Sequence, residues 1–152
     1  MKKRLFSTLF VMIICVCTLA VSIHTVNIVD SGQCNNTITW TLDSEGQLTI
    51  TGTGDIPYYY YIPNKWNAEN VKSILIENGI TGIGSYVFYD CVNLLSLSIP
   101  NTVVKICDHA FSNCTNLTTA TFEGNAPAEF DEDVFLNTPA NFKIQYYEDT
   151  TG

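Results

Sequence analysis

The sequence predicts a short solenoid, mostly β or α/β. In it, parallel strands stack one per coil of about 23 residues, and an N-terminal β-hairpin closes one end. Three observations carry this expectation. The block IGSYVFYDCVNLLSLSIPNTV, starting at Ile83, is rewritten as ICDHAFSNCTNLTTATFEGNA, starting at Ile106, 23 positions later. Inside each block, apolar and hydroxyl residues alternate with the period of a half-buried strand. Upstream, two β-rich runs flank a turn that ends in glycine.

The repeat comes first because every other element is placed by it. A shift of 23 lays Phe88 on Phe111, Cys91 on Cys114, Asn93 on Asn116, Leu94 on Leu117 and Ile99 on Phe122. The same shift backward lays Val71, Ile74, Ile76 and Ile80 on Leu94, Leu97, Ile99 and Val103, a half-repeat with its strand but without its first turn. A forward shift of 24 lays Phe130 on Ile106, Val134 on Ala110, Phe135 on Phe111, Asn137 on Asn113, Ile144 on Ala120 and Tyr146 on Phe122. Residues 69–149 thus hold two good repeats between two degraded ones, as expected when end repeats act as caps. A period of 20–29 with Leu-x-x-Leu-x-Ile before a turn is the signature of leucine-rich repeats.

In each coil the strand should point Leu97, Ile99, Ala120 and Phe122 inward and Ser96, Ser98, Thr119 and Thr121 outward. Pro100 closes its strand because it lacks a ladder donor. Residues 85–91 carry Val87, Phe88 and Cys91 at closer to helical spacing, which predicts a short helix or turn on the far side.

Residues 34–68 are read as an N-terminal β cap and aromatic loop. TITWT (37–41) and QLTIT (47–51) form the hairpin, with Trp40 in the core of the cap. Tyr58, Tyr59, Tyr60 and Tyr61 follow, between Pro57 and Pro63, with Trp66 beyond. Aromatic side chains on a loop can stack on a sugar or anchor a protein, or fold back to stabilise the cap.

Residues 1–22 are read as a signal peptide: a basic start at Lys2, Lys3 and Arg4, an apolar run over 5–21, and small residues at Ala20 and Ser22. An uncleaved anchor is the alternative, and it is the one expected route to a membrane. Beyond residue 22, four lysines face fifteen acidic residues, a net charge of −11. So acidic a chain repels polyanions, which excludes nucleic acid and anionic lipid as partners.

Candidate chemistry is sparse. The acidic cluster Glu129, Asp131, Glu132 and Asp133 lacks the spacing of a calcium loop and reads as a solvated turn. Cys34, Cys91, Cys107 and Cys114 have no zinc-ligand spacing. Cys91 and Cys114 share one slot in adjacent coils, which predicts a ladder of buried thiols, with a bridge between coils as the alternative. Cys107 should face outward. Cys107 and His109 lie two apart, but nothing in the sequence orients the histidine, so no enzyme, metal or cofactor is expected.

The run IGSYVFYDCVNLLSLSIPNTVVKICDHAFSNCTNL resembles the BspA-like, or treponemal-type, leucine-rich repeats, whose pattern is Ile-Gly-x-x-Ala-Phe-x-x-Cys-x-x-Leu-x-x-(Ile/Val)-x-Ile-Pro-x-x-Val. The resemblance covers roughly residues 34–149. Val87 and Cys107 depart from it, and the last copy lacks its cysteine. It implies a secreted or cell-surface bacterial protein used for adhesion or partner binding, with no catalytic residues. An extracellular protein or a glycan is therefore the expected ligand. A protein partner would meet the strand face at Ser73, Leu75, Ser96, Ser98, Thr119, Thr121, Lys143 and Gln145. A carbohydrate would meet Tyr58, Tyr59, Tyr60, Tyr61 and Trp66.

Overall fold

The computed structural model describes residues 26–62 and 65–147. The proposed signal peptide at residues 1–22 lies outside the described residues. Eleven strands make two sheets: β1 (Ile28–Gln33), β2 (Ile38–Asp43), β3 (Gln47–Gly52), β4 (Gly54–Ile56), β5 (Ser73–Ile76), β6 (Ile80–Ile83), β7 (Ser96–Pro100), β8 (Lys105–Ile106), β9 (Thr119–Glu123), β10 (Glu129–Phe130) and β11 (Lys143–Tyr146). The long sheet runs β1-β2-β3-β5-β7-β9-β11 and the short one β10-β8-β6-β4. From β3 onward every pairing in the long sheet is parallel, one strand per coil.

The register of the repeat is the register of the sheet. Leu97 faces Ile74 on one side and Ala120 on the other, and Ile144 and Tyr146 face Ala120 and Phe122. Leu97, Ile99, Ala120 and Phe122 are buried, as the alternation requires. Leu95 breaks the alternation and is exposed, because the strand begins only at Ser96.

Three features go beyond the sequence reading. First, the cap is a three-stranded antiparallel meander: β1 adds to the hairpin along its β2 edge. Second, β3 is both the second hairpin strand and the first parallel rung, with Leu48 opposite Ile74 and Ile50 opposite Ile76. Third, each coil gains a second short strand, so Ile83 pairs with Ile106 and Phe130 with Ile106 in the other sheet. The hairpin turn itself is as expected. The Asp43 carboxylate accepts from the amides of Glu45 and Gln47 at 2.9 Å each, and Gly46 takes φ +90. Gly52 sits at φ +129, where a Cβ would collide with the Thr37 carbonyl.

No α-helix forms among the described residues; the far side of each coil is built of turns. Residues 85–91 take the turn alternative for a physical reason. Tyr86 and Asp90 have φ of 60 and 59, and the next coil repeats this at His109 and Asn113. Left-handed residues stop a right-handed helix. Their neighbours' amides are satisfied by the following coil: Phe88 donates to Ala110 O at 2.8 Å, and Phe111 to Val134 O at 2.9 Å.

The core is a set of columns, one residue per coil. Trp66, Phe88, Phe111 and Phe135 stack with centroids 5.5, 5.0 and 5.4 Å apart and interplanar angles of 24°, 15° and 15°. Cys91 and Cys114 are free, wholly buried thiols. The Cys114 thiol beside it, together with burial, holds the Cys91 thiol well above its ordinary range, while Cys114 Sγ itself donates to the Phe88 carbonyl at 3.4 Å. Cys34 is buried too, and burial pushes its thiol up to about 12. Cys107 is part-exposed.

Candidate functional site: the strand face and a tyrosine cleft

The outward residues of the parallel strands fall into two rows. One runs Gln47, Ser73, Ser96, Thr119, Lys143; the other runs Thr49, Leu75, Ser98, Thr121, Gln145. Each row follows from period-two alternation combined with in-register stacking. The structure therefore brings together all eight residues expected on this face. Ser96, Lys143 and Gln145 are exposed, and Ser98, Thr119 and Thr121 are half-buried by their neighbours.

The face is not flat. A depression of about 470 Å³ is lined by Ser73, Ser96, Ser98, Thr121, Glu123 and Tyr147 among others. The Ser98 hydroxyl donates to the Glu123 carboxylate at 2.6 Å. Sequence reasoning missed Glu123. It also missed that the hydroxyl surface continues onto the cap, where Thr41 lies beside Thr49 and Thr39 shares a 2.9 Å hydroxyl contact with Thr51. The alternation in TITWT and QLTIT was the available signal.

Of the aromatic residues expected to face a ligand, Trp66 does not. It is buried, stacked on Phe88 and edge-on to Trp40 at 5.7 Å, because it starts the core column. Only an edge of it reaches the surface. The tyrosines divide: Tyr60 and Tyr61 are exposed, while Tyr58 and Tyr59 are half-buried. Partial burial, together with neighbouring Tyr60, Tyr86 and Tyr61, raises the Tyr58 hydroxyl above its usual value. A backbone bond from Tyr59 N to Ser85 O at 3.1 Å ties the loop to the next coil. The result is a cleft of about 730 Å³ on the flank of the solenoid, between Tyr59, Tyr60, Glu69, Tyr86, Tyr89 and Asp90.

His109 does have an orienting partner, which the sequence reading did not foresee: its Nδ1 lies 2.6 Å from Asp108 Oδ1. Asp133 brings a third ligand-type atom within 4.8 Å of these two, all on the surface of the coil. Cys107, however, is poorly suited to nucleophilic chemistry, since burial holds its thiol above the ordinary range and so protonated.

The family model described as the BspA type leucine-rich repeat region (6 copies) matches residues 64–151. The chain belongs to the BspA-type leucine-rich repeat family. Its fold is similar to the crystal structure of a leucine-rich repeat protein from Eubacterium ventriosum, at 20% identity and a TM-score of 0.52, covering 80% of this chain and 40% of that one. It is also similar to a leucine-rich cell surface protein from Faecalibacterium prausnitzii, at 17% identity and a TM-score of 0.40, covering 80% of this chain and 44% of that one. The chain thus spans less than half the length of either. No curated protein matches it. Membership in this family makes the chain a repeat module of the protein-interaction kind.

Proposed function

We propose that this BspA-type repeat chain is a secreted or cell-surface, non-catalytic adhesion module that binds an extracellular protein through its strand face. The observation that carries the reading is the pair of in-register outward rows across β3, β5, β7, β9 and β11, a surface mostly of small hydroxyls beside the Glu123–Tyr147 depression. Low side-chain entropy makes such a surface ready to bind, and Tyr147 is the kind of rim anchor that supplies affinity.

Size limits what this face does alone. Seven strands at ~4.8 Å spacing and five residues at ~3.3 Å give a patch of roughly 30 by 16 Å in plan. That is smaller than the ~800 Å² per partner of a standard interface, so residues on the flanks must add contact area. Export follows from the reading of residues 1–22, and the acidic surface suits a neutral or basic partner.

The test has two arms. In its own host, the chain should be recovered outside the cytoplasm with a new N-terminus near residue 22. Against a set of matrix and bacterial surface proteins, the folded chain should bind at least one, and Ser98→Arg with Thr121→Arg should weaken that contact at least tenfold. Failure to bind any of them, or binding indifferent to those changes, rejects the strand face.

A further inference from the structure

We propose that the tyrosine cleft is a binding site for an alkylammonium group, as carried by a lysine side chain or a choline-like headgroup. The site is separate from the strand face. It rests on three observations.

The first is ring geometry. In the cleft wall Tyr59 and Tyr60 meet at 78°, and Tyr86 and Tyr89 at 59°. Rings that stack on the faces of a sugar chain present broad, similarly oriented platforms. Rings set steeply to one another offer no such platform, whereas the electron-rich face of a single tyrosine ring is enough to attract a cation. The near-parallel rings of this protein, at 15–24°, are in the buried core column and the Phe122–Tyr146 stack.

The second is charge. Glu69 and Asp90 lie in the wall of the cleft, and among the described residues neither forms an ion pair. Their negative charge adds to the ring faces in favouring a cation.

The third is a cation already seated on one of the cleft's rings. Lys65 Nζ lies 3.0 Å from the centroid of Tyr59 and 5.7 Å from that of Tyr60. A primary ammonium of the protein's own already takes one ring face, which identifies the chemistry that the face accepts. The mouth is held in shape from below: Tyr89 accepts a 2.8 Å hydrogen bond from Asn113 Nδ2, and the Tyr59 amide is tied to Ser85.

The experiment titrates the full chain with tetramethylammonium chloride against sodium chloride of equal ionic strength, reading the emission of Trp66 at the cleft floor and the tyrosine ring resonances. A saturable response at millimolar concentration is expected. Lys65→Gln, which removes the positive charge beside Tyr59, should bind several-fold tighter, and Tyr59→Leu about tenfold weaker. Parallel titrations with choline and with Nα-acetyl-lysine amide separate a headgroup from a protein side chain as the source, and tighter binding of either one supports the proposal. No saturable response in a Lys65→Gln protein that unfolds at the wild-type midpoint overturns it. So does a response to cellotetraose without one to tetramethylammonium.

Discussion

Phe88 and Phe111 lie 23 positions apart in the chain and stack in space, their centroids 5.0 Å apart and their planes 15° from parallel. One repeat period in sequence has become one rung in the solenoid. Both rings are fully buried, so each coil closes the apolar edge of the coil before it.

Phe111 is therefore the ring whose loss should be felt most. It touches rings on both sides, Phe88 and Phe135. Phe111→Ala should destabilise the chain by about 3–5 kcal/mol, and Phe135→Ala, which is only half-buried, by distinctly less. Urea unfolding of the two variants measures this; equal losses would contradict the column.

Asn113 combines a backbone and a side-chain role. It sits at φ 62, donates from Nδ2 to Tyr89 and accepts from Asn137 Nδ2, both at 2.8 Å. Asn113→Ala should cost about 1–3 kcal/mol, from the left-handed backbone and the lost bonds together. Asn113→Gly should recover the backbone share and fall between the two. A different order in chemical denaturation would show that the asparagine contacts between coils contribute little.

The buried thiols set an alkaline limit on stability. Cys34 is raised from the ordinary 9.0 to about 12 by burial, and Cys91 is raised through its contact with Cys114 and by burial. Between these limits the folded chain keeps protons that the unfolded chain has lost, so stability falls as pH rises. Under reducing conditions the unfolding midpoint should hold from neutral pH to about 8, then drop between about 9 and 12. Cys34→Ala should make that drop shallower across the whole range; an unchanged pH profile in this variant would dissociate the alkaline loss from the thiol.

Thiol accessibility offers an independent check on the same residues. In the native protein Cys107 should react with a disulfide reagent well before Cys34, Cys91 and Cys114, which are buried. All four should react once the chain is unfolded. Fewer than four would mean that a bridge between coils forms.

The repeat was legible because its signal is redundant: several residue types recur at one spacing, and the sheet pairs those same residues. Trp66 was not. It lies just past Pro63 in an irregular segment with no local period, and it reads as a surface aromatic until it is set 22 positions before Phe88 in the column. The tyrosine cleft was half legible. The run of four tyrosines marks the loop, but Tyr86, Tyr89, Glu69 and Asp90 reach it from other coils.

From the amino-acid sequence alone came the family, the coil period, the inward and outward residues of each strand, and the slot shared by Cys91 and Cys114. These depend on local alternation and on a shift that any copy of the repeat displays. The tertiary structure decided what depends on contact across coils. It made β3 the first rung, added the second sheet, turned residues 85–91 into left-handed turns bonded to the next coil, and gathered Tyr59, Tyr60, Tyr86 and Tyr89 into one cleft. Each of these is settled by which coil satisfies a given amide or ring face, a choice that chain stacking makes and residue order does not record.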